Sequence, residues 1–237
     1  MTTSSTDPRP TVIRLYTQSR NPFSDKVAAA LALKGLRFER VVSDDPADVA
    51  RWSPVARTLP VLEIDGETKV GSLAIVDWID GLVPEPPLYA ADPRTATAQR
   101  RLAEWADDSF LWYWIRWRAV HVPRPGGEEP RTPSPLSRLR ERLARRFGRR
   151  PGTQTDPRER EVVAEIEARL EDLVGFLGTR VFFHGEAPSV ADLSVYSFLA
   201  ILRADAIPGC AQAVEARPTL VAFAERMAAH IPPAQMR

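Results

Sequence analysis

The chain has 237 residues, 44% of them apolar and 27% charged, the balance of a globular protein with room for one large domain or two smaller ones. Its formal net charge of +1 excludes a global attraction to nucleic acid or to an acidic membrane surface. One cysteine, Cys210, excludes an intrachain disulfide and suits a reducing, cytoplasmic setting. No run of about 18 apolar residues is present to span a membrane, and the Ser/Thr/Pro-rich leader has no apolar stretch that predicts a signal peptide.

In chain order, Val12 to Tyr16 reads as a short strand rich in β-formers. Residues 17–24 form a polar turn opening a helix, with Pro22 near the first turn, where its missing N–H costs little. Val27, Ala30, Leu31 and Lys34 recur at helical spacing, and Gly35 ends the helix. Phe38 to Val42 is a second strand and Asp44 to Trp52 a short helix stopping before Pro54. Pro60 opens a third strand, Val61 to Ile64. Asp65-Gly66 is a tight hairpin signal that returns through Thr68 to Val70. Ser72 is placed as the cap of a third helix, Leu73 to Leu82. The order β-α-β-α-β-β-α is that of a thioredoxin-like domain, assigned to residues 11–83.

Residues 83–93 form a proline-stiffened linker, and the rest, residues 94–230, reads as all-helical. Helices are expected over Thr95 to Val120, Leu136 to Phe147, Arg158 to Leu177, Ser189 to Leu202 and Thr219 to His230. The fourth-residue rhythm of Val162, Ile166, Leu170, Leu173 and Leu177 marks a buried stripe. Residues 122–156 form a Pro/Gly/Arg-rich insertion. The expected architecture is α+β: a thioredoxin-like domain followed by a helical bundle.

Four segments together resemble the cytosolic glutathione transferase superfamily over roughly residues 11–230, the insertion excepted. Asn21-Pro-Phe-Ser24 resembles the S-P-F or C-P-F turn of the tau and omega classes. Ala32-Leu-Lys-Gly35 with Phe38-Glu39 resembles their first-helix exit. Ser53-Pro54 through Leu59-Pro60-Val61 resembles the approach to their cis-proline. Pro188 to Leu193 resembles their buried capping motif; there, Ser189 and Asp192 form a capping box whose role is structural.

The resemblance implies glutathione as co-substrate, a hydrophobic electrophile as acceptor, and a homodimer. It implies a cis bond at Leu59-Pro60 that turns the N–H and C=O of Val61 outward to pair with the cysteinyl backbone of glutathione. Ser72 would hold the γ-glutamyl carboxylate at a helix N-terminus; an ordinary N-cap is the other reading. Arg57 matches a basic residue that contacts glutathione, or is a solvated loop arginine. Two positions depart from the pattern. Asn21 stands where a catalytic cysteine or serine is expected, which removes a thiol nucleophile but leaves an N–H donor for a bound thiolate. Gly71 stands where an acid binds the γ-glutamyl ammonium. Besides Asn21, the hydroxyls of Ser19, Ser24 and then Tyr16 are candidates to stabilise the thiolate, and each also reads as an ordinary turn, cap or core group.

Trp105, Phe110, Trp112, Tyr113, Trp114 and Trp117 crowd the first bundle helix. They span too much of its circumference for one core face. Phe23, Phe110, Tyr113, Trp114 and Trp117 are the candidate acceptor pocket; a core and dimer-interface stripe is the alternative. Residues 136–150 hold seven arginines against one glutamate on a narrow apolar seam, a lid or a basic amphipathic surface. His121, His184 and His230 show no metal spacing, so no metal is expected. Cys210 reads as a small buried residue. The function these features imply is conjugation of the glutathione thiol to an apolar electrophile, with a non-catalytic binding module of the same fold as the alternative.

Overall fold

The computed structural model describes residues 12–121, 157–204 and 207–232. The expected helix at Leu136 to Phe147, and the whole insertion, lie outside them. The N-terminal half runs β1 (Ile13–Thr17), α1 (Pro22–Leu33), β2 (Glu39–Val42), α2 (Pro46–Trp52), β3 (Val61–Ile64), β4 (Glu67–Val70) and α3 (Ser72–Leu82). The helical half follows as α4 (Pro93–His121), α5 (Pro157–Leu177), α6 (Val190–Arg203), α7 (Cys210–Glu215) and α8 (Pro218–His230).

The strands form one mixed sheet in the order β2-β1-β3-β4. β1 runs parallel to β2, with Leu15 opposite Arg40. It runs antiparallel to β3, with Leu15 opposite Leu62. The β3–β4 hairpin turns at Asp65 and Gly66, both with positive φ. Asp65 also fastens the start of β1, its carboxylate accepting from the Val12 N–H at 2.9 Å. Leu15, Leu62, Val27, Leu31, Ile75 and Ile79 are buried between the sheet and its helices.

α1 ends as the sequence predicts. Lys34 is the C-cap, Gly35 takes φ 65°, and the Leu36 N–H reaches back to the Leu31 carbonyl at 2.9 Å. The stripe from Val162 to Leu177 is buried as expected. The capping box is formed: Asp192 Oδ2 accepts from the Ser189 N–H at 2.9 Å and from Ser189 Oγ at 2.6 Å, and Oδ1 accepts from the Phe183 N–H.

Several contacts join the halves. The Leu88 carbonyl accepts from the Val190 N–H at the start of α6. Lys26 of α1 is wholly buried, with Nζ 2.5 Å from Asp107 Oδ2 of α4 and 3.2 Å from Ser194 Oγ of α6. Lys34, on the helical stripe, is buried too. Its ammonium is held by Asp80 and by the carbonyls of Pro84 and Pro86. No helix of the described residues is long and apolar enough to cross a membrane.

Candidate thiol-binding site

The site begins at the N-terminus of α1. Asn21 is its N-cap, with extended backbone (φ −106°, ψ 106°) and Pro22 at the first helical position. Asn21 Oδ1 accepts from the Phe23 N–H at 3.0 Å and the Ser24 N–H at 3.2 Å. Two backbone donors on one oxygen fix the amide's orientation. Nδ2 therefore points away from the helix, and it donates to the Leu59 carbonyl at 3.4 Å. One Nδ2 hydrogen serves Leu59, and a second remains to be placed. The Phe23 and Ser24 N–H groups are already used by the cap, so donation to a bound anion at this helix end falls to the amide nitrogen.

Leu59 precedes a cis peptide bond to Pro60. The expectation that Val61 presents its backbone outward does not hold. Val61 lies inside β3, in register with Tyr16 of β1 and Val70 of β4, and is buried. The open backbone is two residues earlier, before the cis-proline: the Leu59 N–H has no hydrogen bond among the described residues.

The α3 N-terminus differs from expectation in one residue. Gly71, not Ser72, is the N-cap, with φ 90° and ψ 120°. That backbone is rarely adopted by residues with a Cβ. Ser72 is buried as the first helical residue, and no side chain caps the first turn. The first N–H groups of α3 are thus without the internal partner that Asn21 gives α1. Arg57 is exposed, with φ 52° and its N–H on the Ser53 carbonyl.

The other hydroxyl candidates separate clearly. Ser24 is fully buried and its Oγ reaches no partner, which removes it as a donor to a ligand thiol. Tyr16 donates to Glu63 Oε2 at 2.7 Å and packs on Trp52 at 4.9 Å. Burial first, then that carboxylate, pushes its phenol above the ordinary range. Ser19 is exposed in the loop, its N–H on Asp44 Oδ1 at 3.1 Å.

The aromatic pocket is only partly as expected. Phe110 (2% exposed) and Tyr113 (8%) are core residues. Burying them gains more than lining an open cleft, since each ring removes a large apolar area from water. The side chains of Trp112, Trp114 and Trp117 lie outside the described residues. Phe23 and Phe110 meet on Phe198 of α6, at 5.3 and 5.1 Å. Neither Phe198 nor Lys26 is marked out by motif or composition. Their only sequence signal is helical spacing against apolar neighbours. His184 is half-buried, and burial, then Arg180, holds its pKa below the usual value. No cluster of three metal-binding side chains occurs among the described residues.

A mixed four-stranded sheet with a capped first helix and a cis-proline loop, followed by a helical bundle, defines a thioredoxin-fold module carrying an all-α domain. The family models agree: residues 22–82 match a glutathione S-transferase N-terminal domain, and residues 166–227 a glutathione S-transferase C-terminal domain. The chain belongs to the glutathione S-transferase superfamily. It is 30% identical over 94 residues to glutathione S-transferase U6 of Arabidopsis thaliana, covering 38% of this chain and 42% of that one. It is 34% identical over 101 residues to a maleylacetoacetate isomerase of Pseudomonas aeruginosa, covering 38% and 47%. The matched region thus spans less than half the length of these curated relatives. Among solved structures, the beta-etherase LigF from Sphingobium sp. strain SYK-6 superposes with a TM-score of 0.69 at 24% identity, covering 94% of this chain and 97% of that one. A glutathione S-transferase from Methylobacterium radiotolerans, in complex with glutathione sulfonate, gives 0.61 at 25% identity, covering 96% and 98%.

Proposed function

We propose that the chain binds glutathione and conjugates its thiol to a hydrophobic electrophile. The observation that carries this reading is the Asn21 bridge from the α1 N-terminus to the Leu59 carbonyl. It sets an amide donor beside an open backbone N–H at the cis-proline turn. The cysteinyl backbone pairs with Leu59, the γ-glutamyl carboxylate sits on the uncapped first turn of α3 at Ser72, and Arg57 offers a cation to the glycyl carboxylate. The relatives named as glutathione S-transferases, and the neighbour solved with glutathione sulfonate, support this choice of ligand.

The chemistry is that of a stabilised thiolate. The second Nδ2–H of Asn21 and the positive end of α1 favour the ionised sulfur. Ser19 is the reserve donor. The sulfur forms a bond to the electrophilic carbon, and the leaving group departs with its bonding pair. Holding both reactants together supplies much of the acceleration.

A second copy of the chain belongs to the same reading. Val55 stands 96% exposed in the loop between α2 and β3. A groove of about 530 Å³ between α4 and the end of α5 is lined by Leu102, Trp105 and Phe176, together with Arg101, Arg180 and His184. Docking Val55 of one copy into the groove of the other buries both apolar surfaces. A cytoplasmic location is part of the proposal, supported by the single buried cysteine.

The test is turnover of glutathione with a chlorodinitrobenzene acceptor. The reading expects saturable rates above the uncatalysed reaction and about a tenfold loss in Asn21→Ala, the worth of one hydrogen bond to a charged group. No glutathione binding at millimolar concentration contradicts it.

A further inference from the structure

Lys26 lies a little over one turn beyond Asn21 on α1, and its side chain is wholly buried. Its ammonium stands 2.5 Å from Asp107 Oδ2 on α4 and 3.2 Å from Ser194 Oγ on α6, so one group ties three helices. The same nitrogen lies 5.7 Å from the centroid of the Phe23 ring. At that range the negative face of an aromatic ring attracts a cation, and more so out of water.

Phe23 is held at both of its ends. Its backbone N–H donates to Asn21 Oδ1 at 3.0 Å. Its ring stands edge-on to Phe198 of α6 at 5.3 Å, and Phe198 stacks on Phe110 of α4 at 5.1 Å. Phe23 is only half-buried, so it carries apolar surface within one turn of the Asn21 amide. A continuous set of contacts therefore runs from Asp107 through the Lys26 ammonium to the Phe23 ring and on to Asn21.

A buried ion pair adds little net stability over an apolar pair of the same volume, but its geometry is demanding. Resting on the glutathione reading above, we infer that Lys26, held by Asp107 and Ser194, is a positioning residue for the electrophile. It acts through Phe23: the anchored ammonium fixes the ring whose exposed part meets an apolar acceptor beside the thiol. Glutathione itself is held by other groups, at Leu59, Ser72 and Arg57. Loosening the ring should therefore weaken the encounter with the acceptor and leave the affinity for glutathione unchanged.

Steady-state kinetics with chlorodinitrobenzene at saturating glutathione test this on the full chain. In Lys26→Met/Asp107→Leu, checked for folding by its thermal melt, the KM for the acceptor should rise at least about fivefold, with the glutathione Kd from calorimetry within about twofold of the parent's. Phe23→Leu removes the ring and leaves the ion pair, so it tests the same wall without touching the buried charges. Its acceptor KM should rise by a similar factor, and adding it to the double change should bring less than about a twofold further rise. A smaller rise in Phe23→Leu or in the folded double variant overturns the inference. So does a parallel loss of glutathione affinity, or losses that multiply when the changes are combined. In those cases the glutathione reading stands; a parent chain that turns over no glutathione removes that reading and the inference with it.

Discussion

Asn21 Oδ1 caps α1 through the Phe23 and Ser24 N–H groups while Asn21 Nδ2 reaches the Leu59 carbonyl at 3.4 Å, so one side chain both starts the helix and holds the cis-proline turn. The two roles separate by substitution. Asn21→Asp keeps the capping oxygen and loses the donor; Asn21→Ala loses both. In chemical denaturation, Asn21→Ala should cost about 1 kcal/mol or somewhat more. Asn21→Asp should cost less, since an acid at a helix N-terminus is favourable. Equal losses in the two variants would show that the Leu59 bond, not the cap, dominates.

The Lys26–Asp107 pair ties α1 to α4 in a buried setting, and Asp107 Oδ1 has no partner. Burial lowers the lysine pKa and raises that of the acid. Removing only the cation in Lys26→Met strands a buried carboxylate and should cost about 3–5 kcal/mol. The double change Lys26→Met/Asp107→Leu should recover most of that loss. A double variant no better than Lys26→Met would refute the stranded-charge account.

Tyr89 sets an alkaline limit. Burial first, then its hydrogen bond to Asp77, raises its phenol above the ordinary 10.0. Above about pH 10 the unfolded chain releases this proton and the folded chain keeps it. Its contribution is thus full below pH 10 and falls as pH rises further. Tyr89→Phe, less stable at neutral pH, should lose less stability than the parent protein between roughly pH 9.5 and 11. Parallel stability–pH curves would contradict the assignment.

Val55→Asp probes the proposed pairing of two copies. The side chain is exposed, so monomer stability should change by less than about 0.5 kcal/mol. Sedimentation velocity should show a dimer for the parent chain and a monomer for the variant. An unchanged dimer would place the interface elsewhere.

Much of the fold could be read from local signals because each has a local cause. Pro22 sits where a helix tolerates proline, Gly35 where a left-handed turn is needed, and Asp65-Gly66 in a hairpin turn. Ser189 and Asp192 carry their own hydrogen bonds. The site was less legible because its geometry is tertiary. Nothing in the order of residues says that Ser24 faces the core, that Val61 is enclosed by two strands, or that Phe198 meets Phe23 and Phe110 from another helix. Lys26 reads as a solvated charge until Asp107 and Ser194 arrive from distant segments. At α7 the sequence reads as either a loop or a helix start at Cys210, because six residues give too little periodicity to decide.

The most direct test of the central claim is the thiol pKa of bound glutathione, followed by thiolate absorbance in the parent protein and in Asn21→Asp. The account predicts ionisation below the free thiol's value in the parent and a rise back toward it in the variant, which keeps the cap but sets a carboxylate where the donor stood. The same titration curve in both proteins would contradict the role given to the Asn21 amide.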